Sequence, residues 1–190
     1  MPDRCVFDLL RHGDTGVSGF RGSLDDPLSD AGWQQMREAL QLDIPWQAVI
    51  SSPLRRCADF AKIFAEQNGL PLVFDARLRE LHFGDWEGQS AVQLLEENAS
   101  ALTQFWNDPW ACTPPNGEHL ADLEQRVRFI MEELCSAYCG KRILLITHGG
   151  VIRMMLFLVK KFSHSKLLSI DVPQASLHTL NVGVSDPLCC

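Results

Sequence analysis

Short apolar segments typical of β-strands alternate along this chain with longer segments whose apolar residues recur at helical spacing. Strands are predicted over residues 5–10, 46–52, 70–75, 142–147 and 175–182. Helices are predicted over residues 29–42, 53–69, 91–108, 119–138 and 149–161, the third with one or two breaks. This order favours a three-layer α/β/α sandwich around a mostly parallel sheet. Because no repeat, low-complexity tract or linker interrupts the pattern, we expect a single domain over residues 1–190.

The composition is that of an acidic globular protein. Its 190 residues suffice for one domain with its own core. The net charge of −7 repels phosphate backbones and anionic lipid, which argues against nucleic acid or a membrane surface as a partner. No signal-peptide pattern is present, and the longest apolar stretch is too short to span a bilayer. The seven cysteines form no CxxC motif, so we expect a cytoplasmic protein, with the role of Cys189 and Cys190 left open.

Two of the predicted strands end in the same dipeptide, histidine followed by glycine. His12 and Gly13 follow the first strand, and His148 and Gly149 follow the fourth. Because ligands of open α/β sheets lie beyond the carboxyl ends of the strands, we expect the two imidazoles to meet across one cleft. Glycine lets the backbone turn tightly and approach a ligand. The helix that starts after His148 offers free N–H groups to an anion.

Arginines stand close to these positions. Arg11 directly precedes His12, Arg55 and Arg56 follow the second strand, and Arg21 lies in the first loop. Guanidinium groups match phosphate oxygens in a bidentate geometry. Arginines and histidines around one pocket in an acidic protein therefore predict a phosphate site.

The predicted chemistry is phosphoryl transfer through a histidine. A neutral imidazole at His12 can attack phosphorus while its other nitrogen is bonded to a backbone carbonyl. Glu80, after the third strand, is expected to be held protonated by partial burial and to donate to the ester oxygen. Since His148 is more useful as a cation, we expect the site to push the two imidazole pKa values apart. This scheme needs no metal and no cofactor.

Other interpretations of these residues stay open. His12 and His148 can be histidines at the edge of a core, with the arginines in surface pairs. A metal site would use His12, Asp14, His82 and His148, although no HExxH spacing supports it. His82 can line the pocket or lie in an exposed loop. Several other polar residues are expected to be solvated or structural: Asp85, Glu87, His119, His164 and His178.

Five motifs in this order resemble the histidine phosphatase superfamily, which has the phosphoglycerate-mutase-like fold. They are LLRHGDT, SSPLRRCADFA, LRELHFGDWEG, NGE and ITHGGVIR. The resemblance implies a six-stranded sheet and a phosphatase that acts on a small phosphorylated metabolite through a phosphohistidine. It implies the catalytic set His12, Glu80, His148, Arg11 and Arg56, with Arg56 preferred over Arg55. The substrate-binding set predicted beside it is Thr15, Ser18, Arg21, Gly22, His82 and Gly149.

Within that superfamily, FRGSLDDPLSDAG, ELHFGDWEG and TPPNGE most resemble the bacterial α-ribazole phosphatase branch of cobalamin biosynthesis. That branch removes the 5′-phosphate from α-ribazole phosphate or from the phosphorylated cobamide. The chain departs from the superfamily pattern at Asp14, where Glu is commoner, and at Ser18, where many members carry Asn. The first loop is also short. These departures bear on the substrate end of the site.

Three alternative functions are kept. One is a phosphoglycerate mutase, one a broad-specificity sugar or nucleotide phosphatase, and one a binding module without turnover, against which the complete catalytic set argues. The leaving group is not readable from the sequence. Its pocket would be lined by residues 90–118, in which Phe105, Trp106 and Trp110 are either walls or core residues. The oligomeric state is not readable either.

Overall fold

The computed structural model describes residues 4–183, in which five strands form one sheet. The strands are β1 (Arg4–Arg11), β2 (Val49–Ser51), β3 (Leu72–Phe74), β4 (Arg142–Thr147) and β5 (Leu177–Gly183), in the spatial order β3-β2-β4-β1-β5. The first four are parallel to their neighbours, and β5 pairs antiparallel with β1. The six strands implied by the family resemblance are therefore wrong for this part of the chain. The five segments predicted from hydrophobic pattern are confirmed. Cys189 and Cys190 lie outside the described residues.

Five α-helices lie within the described residues. They are α1 (Asp30–Ala39), α2 (Arg55–Asn68), α3 (Ala91–Asn107), α4 (Leu120–Ala137) and α5 (Gly149–Lys160). Short 3₁₀ helices cover Ala76–Leu78, Gly84–Trp86 and His164–Ser169. None of the helices within residues 4–183 combines the length and the apolar content that crossing a membrane requires.

Helix α3 is continuous, so the predicted breaks are wrong. Ser90 and Gln93 form a capping box that fixes its N-terminus. Leu94, Leu102 and Phe105 are buried along its length. The packing of this face against the core keeps the polar stretch of α3 helical, although the residues of that stretch would form a helix poorly by themselves.

The residues of β4 alternate between two cores. Ile143 and Leu145 pack into a cluster with residues of α3, α4 and α5, whereas Leu144 and Ile146 pack into a second cluster with α1 and α2. Successive side chains of a strand point to opposite faces of the sheet, so the two clusters lie on its two sides. The predicted three-layer α/β/α sandwich is confirmed.

The register of the central strands brings their carboxyl ends together. Arg11 of β1 pairs with Thr147 of β4, and the N–H of His12 donates to the carbonyl of Thr147 at 3.0 Å. His12 and His148, the next residue of each chain segment, therefore leave the sheet side by side. Gly13 makes its close approach to α1, because a Cβ there would lie 2.3 Å from the carbonyl oxygen of Gly32.

A buried carboxylate ties the sheet together. Asp8 on β1 is fully buried and accepts hydrogen bonds from Trp46 Nε1 at 2.7 Å, from Thr179 Oγ1 at 2.6 Å and from Arg142 Nε at 2.6 Å. Burial alone would raise the pKa of Asp8, but the hydrogen bonds from Arg142, Thr179 and Trp46 outweigh it and hold the pKa below its usual value. Asp8 thus links β1 with β4, β5 and the segment before β2.

We expect Asp8→Asn to lower the free energy of unfolding by about 2 kcal/mol at neutral pH, since it removes one partner of a buried ion pair. The pKa of Asp8 is depressed in the folded state. Its ionised form therefore stabilises the fold above the ordinary aspartate pKa of 3.8, and this contribution is lost as the pH falls through the lower folded value. Urea unfolding of wild type and Asp8→Asn between pH 8 and pH 3 checks this. The difference between their free energies of unfolding should become smaller as the pH falls.

Asp59→Asn is the matched control, because Asp59 pairs with Arg55 and Lys62 on the exposed surface of α2. It should change the free energy of unfolding by less than about 0.5 kcal/mol. Two results would contradict the stabilising role of ionised Asp8. One is an equal loss of free energy of unfolding in the two variants, and the other is a loss in Asp8→Asn that does not change with pH.

Candidate active site

Two imidazoles lie side by side at the carboxyl edge of the sheet. The ring centroids of His12 and His148 are 5.2 Å apart with an interplanar angle of 62°. His12 is 8% exposed, whereas His148 is completely buried. The structure thus brings together the two His-Gly segments that stand 136 positions apart in the sequence.

The His12 ring has a defined tautomer. Its Nδ1 lies 2.8 Å from the carbonyl oxygen of Gly13, and because a carbonyl only accepts, Nδ1 carries the proton. The predicted hydrogen bond to a backbone carbonyl is confirmed. Burial, together with the charges of Arg56 and Arg11, lowers the pKa of His12 to about 3. Near neutral pH the ring is therefore neutral, with the lone pair on Nε2.

The His148 ring is also neutral, and the expectation of a charged His148 is wrong. Arg56 Nε can only donate, so its 3.1 Å hydrogen bond makes His148 Nδ1 an acceptor and leaves the proton on Nε2. That Nε2 lies 2.7 Å from Ser52 Oγ, to which it donates. Burial first, and then the charge of Arg56, lower the pKa of His148. The two pKa values are thus both lowered instead of being pushed apart.

Arg56 is buried and anchors the first loop. Besides its bond to His148, its Nη1 donates to the carbonyl of Leu24 at 2.6 Å, and its Nη2 donates to the carbonyls of Arg21 and Gly22 at 3.1 and 2.8 Å. All three guanidinium nitrogens are therefore hydrogen-bonded within the protein. Its positive charge is fixed next to the two imidazoles.

Arg11 is held differently. Its Nη1 donates to the carbonyl of Val172 at 2.6 Å. Its Nε is the one buried side-chain nitrogen or oxygen, within residues 4–183, that has no hydrogen-bond partner. A buried unpaired donor costs free energy unless a ligand accepts from it. Arg11 therefore offers a donor that an anion would satisfy.

A polar cavity of about 220 Å³ lies over His12. Seven predicted site residues line it: Arg11, His12, Thr15, Arg21, Arg56, Glu80 and Gly149. Six further residues complete the lining: Val17, Gly19, Phe20, Phe83, Arg153 and Gln174. Within the cavity, Arg21 is paired with the carboxylate of Asp26.

Four predicted site residues do not line this cavity: Ser18, Gly22, His82 and His148. Ser18 is exposed, and Gly22 contributes its carbonyl to Arg56. The side chain of His82 is 45% exposed, with Nε2 3.8 Å from the carboxylate of Glu87, so the exposed-loop interpretation is the one that fits. His148 is completely buried and does not reach the surface of the cavity.

Glu80 faces the polar cavity from the loop after β3. Its two carboxylate oxygens accept from the N–H of Gly150 at 3.0 and 3.1 Å, and Oε1 also accepts from the N–H of Leu81 at 3.0 Å. Gly150 lies in the first turn of α5, where N–H groups have no partner within the helix. A Cβ at position 150 would lie 2.4 Å from Glu80 Oε1. Glycine is therefore required for this contact.

The loop that carries Glu80 is clamped from α4. Arg126 donates to the carbonyls of Arg77, Arg79 and Glu80 at 2.5, 2.7 and 3.2 Å. It also forms a bidentate ion pair with Glu118, the acid of the NGE motif, in which Nε and Nη2 donate to the two carboxylate oxygens at 2.6 and 2.9 Å. The position of Glu80 thus depends on one guanidinium on a packed helix.

Glu87 joins the two loops of the site and is not solvated as expected. Its carboxylate accepts from the backbone N–H groups of Ser23, Leu24 and Phe83 at 2.7, 3.0 and 3.2 Å, and its side chain is 10% exposed. Asp85, by contrast, is exposed. Sequence alone did not distinguish these two acids because burial depends on the folded loop.

A second cavity, the apolar chamber, opens beside the polar one and has a volume of about 290 Å³. The two share Phe20, Glu80, Phe83 and Arg153 as lining residues. The rest of the chamber is lined by Leu81, Phe105, Trp106, Leu120, Leu123, Gly150, Leu167 and Leu168. Trp106 thus fits the interpretation as a pocket wall, and Phe105 is both a wall of the chamber and part of the core, whereas Trp110 packs on Phe157 and His164.

Arg153 is the charged residue among the six lining residues that the sequence did not predict. It lies four residues after Gly149 and hence on the same face of α5, a spacing that the quoted motif ITHGGVIR already contained. No comparable signal marks Phe20 or Gln174, which reach the cavity only through the path of their loops.

The residues of the metal alternative are not assembled. Asp14 Oδ2 accepts from Ser29 Oγ at 2.6 Å, and both nitrogens of His148 are hydrogen-bonded to protein side chains. Across the part of the chain that the structure describes, no group of three or more His, Cys, Asp or Glu side chains is placed to hold a metal ion.

A family pattern and several known proteins match most of this chain. The pattern of the histidine phosphatase superfamily (branch 1) matches residues 7–188. The glucosyl-3-phosphoglycerate phosphatase of Mycolicibacterium vanbaalenii is 33% identical over 156 residues, covering 76% of this chain and 69% of that protein. A bifunctional protein of Mycobacterium tuberculosis is 34% identical over 175 residues, covering 89% of this chain but 48% of that protein, so the chain spans about half its length.

Solved structures agree. The α-ribazole phosphatase from Shigella flexneri superposes with a TM-score of 0.80 at 27% identity, covering 92% of this chain and 89% of that one. The family match covers both His-Gly segments and the loop of Glu80. This chain therefore belongs to the histidine phosphatase superfamily and is a phosphatase.

Proposed function

We propose that this phosphatase hydrolyses phosphomonoesters through a phosphohistidine formed at His12. The observation that carries the proposal is the unprotonated Nε2 of His12 at a cavity that is also lined by Arg11, whose buried Nε has no protein partner. A neutral imidazole is a competent nucleophile toward phosphorus. The unpaired guanidinium donor supports an anion as the group that this cavity receives.

In the first step, the lone pair of His12 Nε2 forms a bond to phosphorus while the bond from phosphorus to the ester oxygen breaks. The carboxyl group of Glu80 gives a proton to that oxygen, so the leaving group departs as a neutral alcohol. Glu80 is placed for this role because it lines both cavities and thus lies where the phosphoryl group and the leaving group would meet.

In the second step, water attacks the phosphoryl group on His12 and the bond from nitrogen to phosphorus breaks. Glu80, now a carboxylate, takes the proton from the attacking water and is ready for another turnover. His12 returns to its neutral form with the proton still on Nδ1. The hydrogen bond from Nδ1 to Gly13 keeps the ring orientation unchanged through both steps.

The transferred phosphoryl group carries negative charge on its equatorial oxygens, and arginines oppose it. Arg11 is the proposed direct donor, through its Nε. Arg56 acts through its field, because its nitrogens are already bonded to His148 and the first loop. His148 acts as a positioning residue whose neutral ring lets Arg56 stay beside it.

The proposed substrate is α-ribazole-5′-phosphate, which would place the enzyme in cobalamin biosynthesis in the cytoplasm. The first-loop and NGE motifs and the fold of the Shigella flexneri α-ribazole phosphatase support it. Glucosyl-3-phosphoglycerate is the second candidate, favoured by the relative of that activity at 33% identity. We also infer that the chain forms one domain, as the extent of the family match suggests.

A substrate panel tests the proposal. We expect the purified chain to hydrolyse α-ribazole-5′-phosphate with a higher kcat/KM than glucosyl-3-phosphoglycerate, phosphoserine or nucleotide monophosphates, and EDTA to leave the rate unchanged. His12→Ala should show no activity toward any of them. A preference for glucosyl-3-phosphoglycerate would replace the substrate proposal. If the chain moves phosphate between positions of phosphoglycerate without releasing it, the protein is a mutase and not a hydrolase.

The contact between Gly150 and Glu80 yields a separate prediction. Gly150→Ala places a methyl group where Glu80 Oε1 lies, and the flexible carboxylate must move, so we expect kcat to fall about 10- to 100-fold. The thermal midpoint should stay equal or rise, because alanine favours the first turn of α5.

Glu80→Gln is the comparison variant, since an amide oxygen can still accept from Gly150 but cannot transfer the proton. It should lower kcat by about 10²- to 10⁴-fold, more for alkyl esters than for p-nitrophenyl phosphate, whose leaving group needs no proton. Equal loss on both esters, or full activity of Gly150→Ala, would contradict the role assigned to Glu80.

A further inference from the structure

We propose that Arg153 is a specificity-determining residue. It would contact a hydroxyl or carboxylate of the leaving group, between the phosphate in the polar cavity and an apolar ring in the apolar chamber. This inference rests on the proposed function and deepens it. The substrate class is a phosphate ester in which a short polar segment such as a sugar joins the ester oxygen to a flat apolar ring.

Arg153 stands at the junction of the two cavities and lines both. Its Nε donates to the carbonyl of Ile170 at 2.9 Å, which fixes the direction of the guanidinium. A Cβ on Gly149 would lie 3.1 Å from Arg153 Nη1 and 3.4 Å from Arg11 Nε. The two guanidinium groups therefore converge over the same glycine, beside the space proposed for the phosphoryl group.

The Nη groups of Arg153 are available to a ligand. Among residues 4–183, only the carbonyl of Ile170 accepts a hydrogen bond from this side chain, and it uses Nε. Arg21 is paired with Asp26, and Arg56 is bonded to His148 and loop carbonyls. Arg153 is therefore the site arginine with two NH₂ groups free of protein acceptors in the described chain.

The apolar chamber suits a ring and not a sugar. Phe83, Phe105, Trp106 and leucines of α4 and the 3₁₀ helix His164–Ser169 line it, and Glu80 and Arg153 at the shared wall are its charged lining residues. Hydroxyl groups carried into such a space would lose water without gaining partners. A flat ring would gain contact with aromatic faces. A sugar between ring and phosphate would instead lie at Arg153.

Two esters that share phosphate and sugar isolate the effect of the chamber. Wild type should hydrolyse α-ribazole-5′-phosphate with at least about 100-fold higher kcat/KM than ribose-5-phosphate. Trp106→Ala should reduce this ratio of kcat/KM values about tenfold.

Trp106 is 45% exposed at the rim of the chamber, so its replacement leaves the core intact. Leu168→Gln, also at the rim and 38% exposed, provides a second variant. Phe129→Ala, on α4 and 53% exposed, is the control outside both cavities and should leave the ratio unchanged.

Arg153→Met should lower kcat/KM about 10- to 100-fold for both ribose esters and less than threefold for p-nitrophenyl phosphate, which has no polar segment. Arg153→Lys should recover part of the loss.

An equal loss on all three esters would show that Arg153 binds the transferred phosphoryl group and would overturn the inference. An unchanged ratio in both Trp106→Ala and Leu168→Gln would also overturn it. Failure of wild type to hydrolyse any ester would instead overturn the proposed function, and the inference with it.

Discussion

The parallel pairing of β1 with β4 is the constraint on which the rest of the site depends. Its register places Arg11 opposite Thr147, so that His12 and His148 follow at the same edge of the sheet. A slip of one residue would turn every side chain of one strand to the opposite face and separate the imidazoles. The hydrogen bond from the N–H of His12 to the carbonyl of Thr147 continues the pairing one residue beyond β1 and fixes the nucleophile to a buried strand.

Backbone carbonyls, more than carboxylates, hold the cations of the site. Arg11 donates to the carbonyl of Val172, and Arg153 donates to the carbonyl of Ile170. Arg56 donates to the carbonyls of Leu24, Arg21 and Gly22. A carbonyl orients a guanidinium without neutralising its charge, whereas a carboxylate would do both. An acidic protein with a net charge of −7 thereby keeps a locally positive cavity. Burial first, and then this nearby positive charge, lower the pKa values of both imidazoles and keep the rings neutral.

Much of the fold was predictable because its signals are local. The five strands and five helices follow from hydrophobic period, and the side chain of Ser29 caps α1, a position at which serine is strongly preferred. The placement of Glu80 and of both His-Gly segments near one edge followed from the rule that ligands lie at strand ends. These predictions needed only short stretches of sequence.

The remainder depends on contacts between distant segments. The tautomer of His148 is fixed by Arg56, 92 positions away, and the burial of Glu87 by the loop of Ser23, 64 positions away. Arg153 joined the site because Ile170 directs its guanidinium toward the cavities. No local pattern encodes such contacts, which is why the sequence alone does not decide between pocket wall and exposed loop for His82.

The central claim is that His12 carries the phosphoryl group during turnover. The most direct measurement is to quench the enzyme in alkali during its first turnover with phosphorus-labelled ester and to locate the label by peptide mass spectrometry. The account predicts an acid-labile phosphoryl group on His12 that forms at the rate of alcohol release and disappears when unlabelled ester is added. Steady hydrolysis with no label on His12, or with the label on another residue, would contradict it.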